Sequence, residues 1–380
     1  MSKWEMVRLG DVATYVNGFA FKPADWSNKG IPIIRIQNLT GTSDVVNYYD
    51  KKYSTKYEIN NGDVLISWSA SLGVYEWKKG KALLNQHIFK VVFDKLVLDK
   101  RFFVFVIAEK LREMSSLVHG STMKHITKKY FDRIEIQLPP LESQKKIATA
   151  LDSANALIEK RKEQIEKLDF LIKSQFIEMF GDPVTNPKGW YEEKLCGLGY
   201  LNRGVSKHRP RNDSKLLGGI YPLIQTGDVA SAGLYIKDYR DTYTEIGLAQ
   251  SKLWEKGTLC ITIAANIAKT GILVFDACFP DSVVGFLANS NKTNNIFVLY
   301  WFKFFQKILE NQAPESAQKN INLKILRELE IICPPLYLQT QFAEFVEKVE
   351  AQKTLLQKSL ADMEQNYQSL LQKCFKGEIF

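Results

Sequence analysis

The sequence predicts an α+β protein in which two similar mixed α/β domains are joined by two long helices that pair as a coiled coil. The first indication is a repeated segment. Pro-Pro-Leu at 139–141, followed by Gln144, returns 195 positions later as Pro-Pro-Leu at 334–336, followed by Gln339. The second indication is a regular spacing of apolar residues in the long segment after each diproline. A period of this length is far too long for a solenoid and therefore indicates two duplicated domains.

The same offset relates shorter segments in the body of each domain. Gly62 and the apolar run 64–66 match Gly257 and the run 259–261, and Glu135 matches Glu330. A register that continues from Gly62 to the end of the chain is not expected by chance, and it supports the duplication.

After each diproline, apolar residues recur at alternating intervals of four and three, which is the pattern of a coiled-coil seam. Only Arg161, Gln175 and Lys353 interrupt the pattern. Two ordinary core helices of a compact protein are the alternative. A length of about 60 Å at 1.5 Å per residue and the lack of a second apolar face favour the coiled coil. The predicted seam positions are Ile147, Leu151, Ala154, Ile158, Arg161, Ile165, Leu168, Ile172, Gln175 and Met179 in the first helix, and Phe342, Val346, Val349, Lys353, Leu356, Leu360, Met363, Tyr367, Leu370 and Cys374 in the second.

Composition limits the class of protein. A hydrophobic content of 45% and an aromatic content of 12% are sufficient for buried cores. No apolar run reaches the length of a membrane span, and the first residues lack the pattern of a secretion signal. The five cysteines form no C-x-x-C pair, which indicates a reducing compartment without a zinc site, so a cytoplasmic protein is expected. The net charge of +9 favours a polyanionic partner, commonly a nucleic acid.

The diprolines are expected to separate domain from helix, because proline cannot donate to a strand ladder and disfavours helix in the residue before it. The predicted division is 1–140, a first domain; 141–183, a long helix and linker; 184–334, a second domain; and 335–380, a C-terminal long helix. Strands are expected at 31–36, 64–68, 88–93, 134–138, 221–226, 258–263, 271–275 and 329–332, and helices at 100–118 and 296–309.

Motifs for catalysis are missing. Ala82 stands where a phosphate-binding loop would need the Ser or Thr that binds magnesium. The four histidines form neither an i, i+4 pair nor an H-E-x-x-H motif. The segment Cys-Pro-Pro-Leu-Tyr at 333–337 lacks the acidic or amide residue of an adenine-methyltransferase motif, and Asp213 lacks the acidic partner of a nuclease signature. The sequence therefore indicates a binding protein, with an enzyme of degenerate motifs as a remaining alternative.

Polar loops that interleave basic, amide and aromatic residues occur in both domains. Lys and Arg can neutralise phosphates, whereas Arg, Asn and Gln can also read base edges. We therefore predict DNA contacts in these loops. The candidates are Arg35, Gln37, Asn38, Ser67, Trp68, Lys78, Lys79, Lys81, Lys124, His125, Lys128 and Lys129 in the first domain, and Lys207, His208, Arg209, Arg211, Gln225, Thr226, Asn266, Lys269, Gln318, Lys319 and Asn320 in the second.

These motifs, in this order, resemble the specificity (S) subunit of type I restriction–modification systems. The resemblance rests on Leu-Pro-Pro-Leu-Glu-Ser-Gln at 138–144 and Cys-Pro-Pro-Leu-Tyr-Leu-Gln at 333–339, each with its helix. It also rests on the opening Val-Arg-Leu-Gly-Asp at 7–11 and on the segments 61–67 and 121–126, and it extends over essentially the whole chain.

The resemblance implies that each domain is a target-recognition domain for one half of an asymmetric bipartite DNA site. It implies that the two helices pack antiparallel, hold the domains apart and fix the spacer. Methyltransferase subunits, two in number, would dock on this scaffold, and restriction subunits would join through the complex. S-adenosylmethionine, ATP and Mg2+ would bind those partners, so that this non-catalytic chain would bind no cofactor or metal directly.

The second domain departs from the family pattern. Thr258 follows Gly257 where the first domain has an aspartate, and Gln-Lys-Asn at 318–320 replaces Met-Lys-His. The recognised bases therefore stay open. The rival interpretation is a two-headed coiled-coil adaptor whose domains bind protein and not DNA.

Overall fold

The structure is a computed structural model, and it describes residues 4–117, 127–264, 267–312 and 321–380. Its contacts divide the chain into two compact units. Unit 1 comprises Met1–Lys160 and Leu360–Phe380, and unit 2 comprises Arg161–Ser359. Each unit thus contains one mixed domain and one half of each long helix, whereas the division predicted from the sequence treats the helices as separate segments.

Unit 1 contains two four-stranded sheets and a two-stranded ribbon. The first sheet has the order β2-β9-β6-β7 and is antiparallel, and the second has the order β4-β3-β8-β5 with one parallel pair, β3 and β8. β1 pairs with β10. The strands are β1 (Glu5–Arg8), β2 (Thr14–Asn17), β3 (Ile31–Ile34), β4 (Asn47–Tyr49), β5 (Glu58–Ile59), β6 (Val64–Ser67), β7 (Gly73–Glu76), β8 (Ala82–Leu84), β9 (Ile88–Val92) and β10 (Glu135–Leu138). The helices are α1 (Leu9–Val12), α2 (Ile36–Thr40), α3 (Lys100–Leu117), α4 (Lys128–Phe131) and the first half of α5 (Leu141–Phe180).

Unit 2 repeats this plan with one added strand. Its sheets have the orders β12-β20-β17-β18-β14 and β15-β13-β19-β16, and β11 pairs with β21. The strands are β11 (Glu192–Lys194), β12 (Gly199–Arg203), β13 (Leu217–Leu223), β14 (Tyr235–Ile236), β15 (Asp241–Tyr243), β16 (Leu253–Trp254), β17 (Leu259–Thr262), β18 (Thr270–Leu273), β19 (Ala277–Cys278), β20 (Val283–Ala288) and β21 (Glu330–Ile332). The helices are α6 (Leu195–Leu198), α7 (Thr226–Ser231), α8 (Glu245–Ala249), α9 (Asn295–Gln312), α10 (Leu323–Glu328) and α11 (Leu336–Phe375).

The predicted duplication is confirmed strand by strand. In unit 1, β6 lies between β9 and β7, and β3 lies parallel to β8. In unit 2, β17 lies between β20 and β18, and β13 lies parallel to β19. The strand β14, parallel to β18, is the addition in unit 2.

Each long helix has 40 residues, and every predicted seam position is buried or half-buried. In unit 2, Asp169 of α5 contacts Lys353 of α11, and Phe176 lies edge-on against Phe342 with ring centroids 5.4 Å apart. Residue numbers rise along α5 as they fall along α11, so the pair is antiparallel. In unit 1, the first half of α5 shares a buried cluster with the last turns of α11, which contribute Leu371. The coiled-coil prediction is confirmed.

The repeated glutamines explain why each diproline is followed so closely by a Gln. The Nε2 group of each donates at 2.8 Å to the carbonyl of the first proline of its own diproline. Gln144 Oε1 accepts from the backbone N of Asp99, just before α3. Gln339 Oε1 accepts from the hydroxyl of Thr293, and its Nε2 also donates to the carbonyl of Lys292. Both side chains are almost fully buried, so each pins the start of a long helix to its own unit.

Two strand predictions are wrong at their ends. The expected strands 31–36 and 221–226 stop at Ile34 and Leu223, and the chain turns into the short helices α2 and α7. In each case, an acceptor side chain three residues further on binds the backbone N of the residue before the helix. Asn38 Oδ1 accepts from Arg35 at 3.0 Å, and an Asp carboxylate does the same in α7. This cap stabilises a helical turn where β-branched residues alone favour strand.

Candidate nucleic-acid interface

In unit 1, the two sheets meet at one end, where four polar segments converge. We call them the junction loops of unit 1 and define them as residues 17–19, 34–38, 67–72 and 84–88. Backbone hydrogen bonds hold these segments together, from Gly18 N to Ile88 O (3.0 Å), Phe19 N to Leu84 O (2.8 Å), Asn85 N to Ile34 O (3.1 Å) and Trp68 N to His87 O (3.1 Å).

Unit 2 has the same convergence. Its junction loops are residues 203–211, 223–228, 262–264 with 267–269, and 278–283. The joining bonds run from Gly204 N to Val283 O (2.9 Å), Val205 N to Phe279 O (3.1 Å), Ile224 N to Cys278 O (2.8 Å) and Ile263 N to Ser282 O (3.0 Å). Gly204, Ile263 and Ser282 therefore occupy the places of Gly18, Trp68 and His87.

Glycine is required where the chain crosses from one sheet to the other. A Cβ on Gly18 would lie 2.0 Å from the carbonyl oxygen of Asn85, and one on Gly204 would lie 2.1 Å from that of Phe279. Both contacts are with backbone, which cannot move aside as a flexible side chain could. The duplication has thus kept the close approach that assembles each junction.

An aromatic and amide cluster occupies the junction of unit 1. Trp68 stacks on Phe89 with ring centroids 5.5 Å apart, and its edge meets His87 at 4.9 Å. Its indole N–H donates to Asn17 Oδ1 at 3.2 Å. His87 and Ala70 have positive φ angles of 72° and 59°, which cost energy for residues other than glycine and often mark functional loops.

Arg35 lies at the same junction. Its guanidinium is 5.1 Å from the ring of Trp26. Among the described residues, its buried Nε has no hydrogen-bond partner, and neither does the buried Oδ1 of Asn85. Such atoms are uncommon in folded proteins. They supply one donor and one acceptor that an incoming ligand could satisfy.

Two predicted contact residues of unit 1 use their polar groups within the junction. The amide of Asn38 donates to the carbonyls of Ser43 and Val45 and also caps α2. Ser67 is fully buried, and its hydroxyl donates to the carbonyl of Ser71. Gln37, on α2, is half-buried. DNA contacts by these three residues stay predictions, and the first two have a structural role in any case.

The predicted lysines of the segment between β7 and β8 lie at the opposite end of the sheets. Lys81 forms an ion pair with Glu58 at 2.8 Å, and this contact lowers the pKa of Glu58. Lys78 lies 3.7 Å from Glu76, and Lys79 is exposed. The structure therefore separates these lysines from Arg35 and Trp68, with which the sequence had grouped them.

The predicted lysines of α4 lie on a short helix that packs on the first sheet. Phe131 of this helix contacts Phe89, the residue on which Trp68 stacks. Lys128 pairs with Asp132 at 2.8 Å, and Lys129 is exposed.

In unit 2, all the predicted residues that the structure describes lie in the junction loops: Lys207, His208, Arg209, Arg211, Gln225, Thr226 and Lys269. The loop that carries the first four is anchored by Gln250, whose Oε1 accepts from the backbone N of Lys207 at 2.7 Å and of His208 at 3.0 Å. The side chains of Lys207 and Gln225 are exposed, and those of Thr226 and Lys269 are half-buried.

Ion pairs organise the basic loop of unit 2. Arg211 Nη2 lies 2.5 Å from Asp281, whose carboxylate is also 3.9 Å from Arg209. His208 Nε2 lies 3.0 Å from Asp213. The backbone N of Lys215 and then His208 lower the pKa of Asp213. This junction therefore presents positive charge in a fixed arrangement.

Several predicted residues lie outside the described residues: Lys124, His125, Asn266, Gln318, Lys319 and Asn320.

In each unit, the junction contains polar residues that were not predicted from the sequence. In unit 1 they are Asn17, Asn85 and His87, and in unit 2 they are Arg203 and Asp281. A polar turn between two apolar runs, as in Asn-Gln-His at 85–87, marks a strand end. The partner of that strand in the sheet, and hence the convergence, is not visible in the local sequence.

Within the described ranges, no helix is long and apolar enough to cross a membrane. In the same part of the chain, no three His, Cys, Asp or Glu side chains are grouped as metal ligands.

Comparison with known proteins identifies the family. The family model of the type I restriction modification DNA specificity domain matches the chain over residues 1–167 and again over 187–365. The chain belongs to this family. The two matches correspond to the duplication seen in the sequence and in the fold.

Members of the type I restriction–modification DNA specificity family resemble this chain along almost its full length. The EcoBI specificity subunit of Escherichia coli is 25% identical, over 99% of this chain and 86% of that protein. The MjaVIII specificity subunit of Methanocaldococcus jannaschii is 22% identical, over 99% of this chain and 93% of that protein.

Solved structures share the fold. A chain from a study of complex assembly and conformational transition of the type I R-M system superposes with a TM-score of 0.64 at 17% identity, covering 99% of this chain and 98% of the other. The type I restriction–modification S subunit from M. genitalium superposes with a TM-score of 0.57 at 16% identity, covering 98% and 96%.

Proposed function

We propose that this chain is the DNA sequence-recognition subunit of a type I restriction–modification complex. Each unit reads one half of an asymmetric bipartite site through its junction loops. Family membership over both units supports this function. The observation that supports the asymmetry is the contrast between two equivalent junctions, one rich in amide and aromatic groups around Trp68 and one basic around Arg211.

The chain itself is a non-catalytic scaffold in this proposal. Two methyltransferase subunits dock on it, and restriction subunits join through that assembly. S-adenosylmethionine, ATP and Mg2+ bind those partners and not this chain, and the complex acts in the cytoplasm. The names of the relatives, which are specificity subunits of restriction enzymes, support this division of labour.

The helix pair α5 and α11 acts as a ruler for the unread spacer between the half-sites. Inserting one helical turn, about 5.4 Å, into each helix is expected to lengthen the spacer by about one or two base pairs at 3.4 Å each. The half-sites themselves are expected to stay the same. Altered half-sites with an unchanged spacer would contradict the ruler.

The decisive experiment is expression of the chain with the methyltransferase subunits encoded beside it, followed by mapping of methylated adenines. One bipartite motif with unlike halves is expected. Binding of the assembled complex to duplex DNA is expected to weaken steeply with salt, because counterions are released when phosphates are neutralised. A complex that binds protein but neither binds nor methylates DNA would support the two-headed adaptor, which the family match does not favour.

A further inference from the structure

Arg211 and Asp281 form a braced pair in the junction of unit 2. The Nη2 of Arg211 lies 2.5 Å from Asp281 Oδ1, and the two side chains are 47% and 39% exposed. Among the described residues, the Nε and Nη1 of Arg211 make no hydrogen bond. The carboxylate therefore uses one N–H of Nη2, while the second N–H of Nη2 and those of Nε and Nη1 stay available, so that one pair of neighbouring donors remains for a ligand.

The neighbouring arginine has a different role. Arg209 Nη1 donates to the carbonyls of Ser206 at 2.7 Å and His208 at 2.8 Å, so its side chain folds back on its own loop. Gln250 holds the same loop from the other side through two backbone N–H groups. Arg211 thus extends from a loop that is already fixed, and it loses little conformational freedom when it binds.

A guanidinium held in a fixed position, with two neighbouring N–H donors in one plane, is well suited to bind guanine in DNA. Guanine presents O6 and N7 side by side in the major groove, and a guanidinium can bind both at once. A phosphate can also accept two hydrogen bonds from a guanidinium, but it requires only positive charge, and a lysine meets that requirement as well. The contact with Asp281 limits the positions that the Arg211 guanidinium can adopt, which favours base reading over simple phosphate neutralisation.

The equivalent place in unit 1 lacks this pair. Gln86 occupies the position of Asp281 at the same repeat offset, and Arg35 is the single arginine of the unit 1 junction loops as defined above. The braced pair therefore belongs to unit 2 alone.

We propose that Arg211, oriented by Asp281, reads a guanine within the half-site bound by unit 2, and that the exposed Lys207 of the same loop neutralises a phosphate. This assignment rests on the proposed function and names the residue that determines specificity at one base pair.

The test uses the complete complex of this chain with its methyltransferase subunits, and a library of duplexes in which each base pair of the mapped site is varied. Arg211→Ala is expected to lower discrimination at one G·C pair of the unit 2 half-site by about 5- to 150-fold. Arg211→Lys, which keeps the charge but loses the fork, is expected to lose the same discrimination while retaining most of the affinity. Asp281→Asn is expected to reduce discrimination at that pair alone.

Lys207→Ala is the matched control. It is expected to weaken binding equally for all sequences and to reduce the slope of log K against log salt by about 0.9. Methylated-adenine mapping reports the unit 1 half-site in every variant, and this half-site is expected to stay unchanged.

The outcomes are distinct. If Arg211→Ala leaves the base preference intact and only reduces the salt slope, or if Arg211→Lys retains full discrimination, Arg211 contacts phosphate and the assignment is overturned. If the unaltered complex binds no DNA at any salt concentration, the proposed function itself fails. If Arg211→Ala relaxes specificity at one G·C pair and leaves the unit 1 half-site intact, the result supports both the role of Arg211 and the proposed function.

Discussion

The two junctions differ in chemistry although three of the four backbone hydrogen bonds named for each junction are equivalent. The junction loops of unit 1 hold one arginine and no acidic residue, whereas those of unit 2 hold five Lys or Arg residues and two aspartates. Trp68 in unit 1 is replaced by Ile263 in unit 2, and His87 by Ser282. The bonds from these positions are backbone bonds, so their side chains can change without loss of the fold. The backbone that builds each junction has therefore been kept in both units, while the side chains available for recognition have changed.

The helix pair shows a similar contrast. In unit 2, the seam contains Lys353, whose Nζ lies 2.5 Å from Asp169 and 3.9 Å from Glu350. The equivalent seam position in unit 1 is Ile158, which is 4% exposed. A polar residue in a coiled-coil seam commonly specifies register at some cost in stability. Unit 2 therefore has a polar layer where unit 1 has an apolar one.

The largest expected effect comes from exchanging a whole recognition domain. Replacing residues 1–140 with the corresponding domain of another member of the family is expected to change one half-site completely, because each junction is built within its own unit. The other half-site and the spacer are expected to stay the same. Mapping of methylated adenines checks this, and a change in both halves would break the independence of the two junctions.

The next effect concerns the seam. Ile158→Lys is expected to lower the free energy of unfolding by about 3 kcal/mol, because it buries a charge where the wild type has an alkyl side chain. Lys353→Ile is expected to cost only about 1 kcal/mol, since the half-exposed Asp169 can be solvated and apolar contact is gained. In addition, Glu350, the other carboxylate near Lys353, keeps the hydroxyl of Tyr300 as a donor. Denaturant titration measures both. Equal losses would show that the two layers do not differ in the way described.

The buried glutamines provide a smaller difference. Gln339→Ala leaves three groups without a partner: the carbonyls of Pro334 and Lys292 and the hydroxyl of Thr293. Gln144→Ala leaves two, so losses of about 3 and about 2 kcal/mol respectively are expected, at about 1 kcal/mol for each unsatisfied group. Unfolding midpoints in urea compare the two variants. A larger loss for Gln144→Ala would reverse the order.

The smallest effect is a dependence of stability on pH in unit 2. Burial lowers the pKa of Lys303 below its ordinary value of 10.5. The neighbouring charges of Lys353 and Lys173 lower this pKa further, whereas Glu350 and Asp169 raise it. Between the lowered pKa and 10.5 the unfolded chain binds more protons, so this residue makes stability rise with pH in that alkaline window.

Lys303→Met removes this dependence. It is expected to stabilise the protein at neutral pH, where the buried charge is present, and the gain is expected to shrink as the pH rises towards 10.5. Unit 1 has Ala108 at the equivalent place, so Ala108→Met is the matched control and is expected to show no such trend. A gain that stays constant from neutral to alkaline pH would contradict the assignment.

The sequence was sufficient to predict the duplication, the two long helices and their seam. Seam positions such as Ile147 and Phe342 are recognisable because helical periodicity is a local property, and both are fully buried as expected. The sequence also indicated both glutamines, although not their hydrogen bonds. The last residues of the predicted strands lie within two residues of the observed ends, except at 221–226, where the strand ends three residues earlier because Asp228 caps a short helix.

Local sequence thus determined which segments of this chain form helices and strands, and which face of each long helix is apolar. Tertiary structure decided which polar residues share a site. Strand pairing brings Asn17, Trp68 and His87 together, and it sends Lys78 and Lys81 to the opposite end of the same sheets. It also places Asp281 against Arg211. The reason is physical: periodicity depends on neighbours along the chain, whereas strand partners and the ends at which loops meet depend on how distant apolar faces pack.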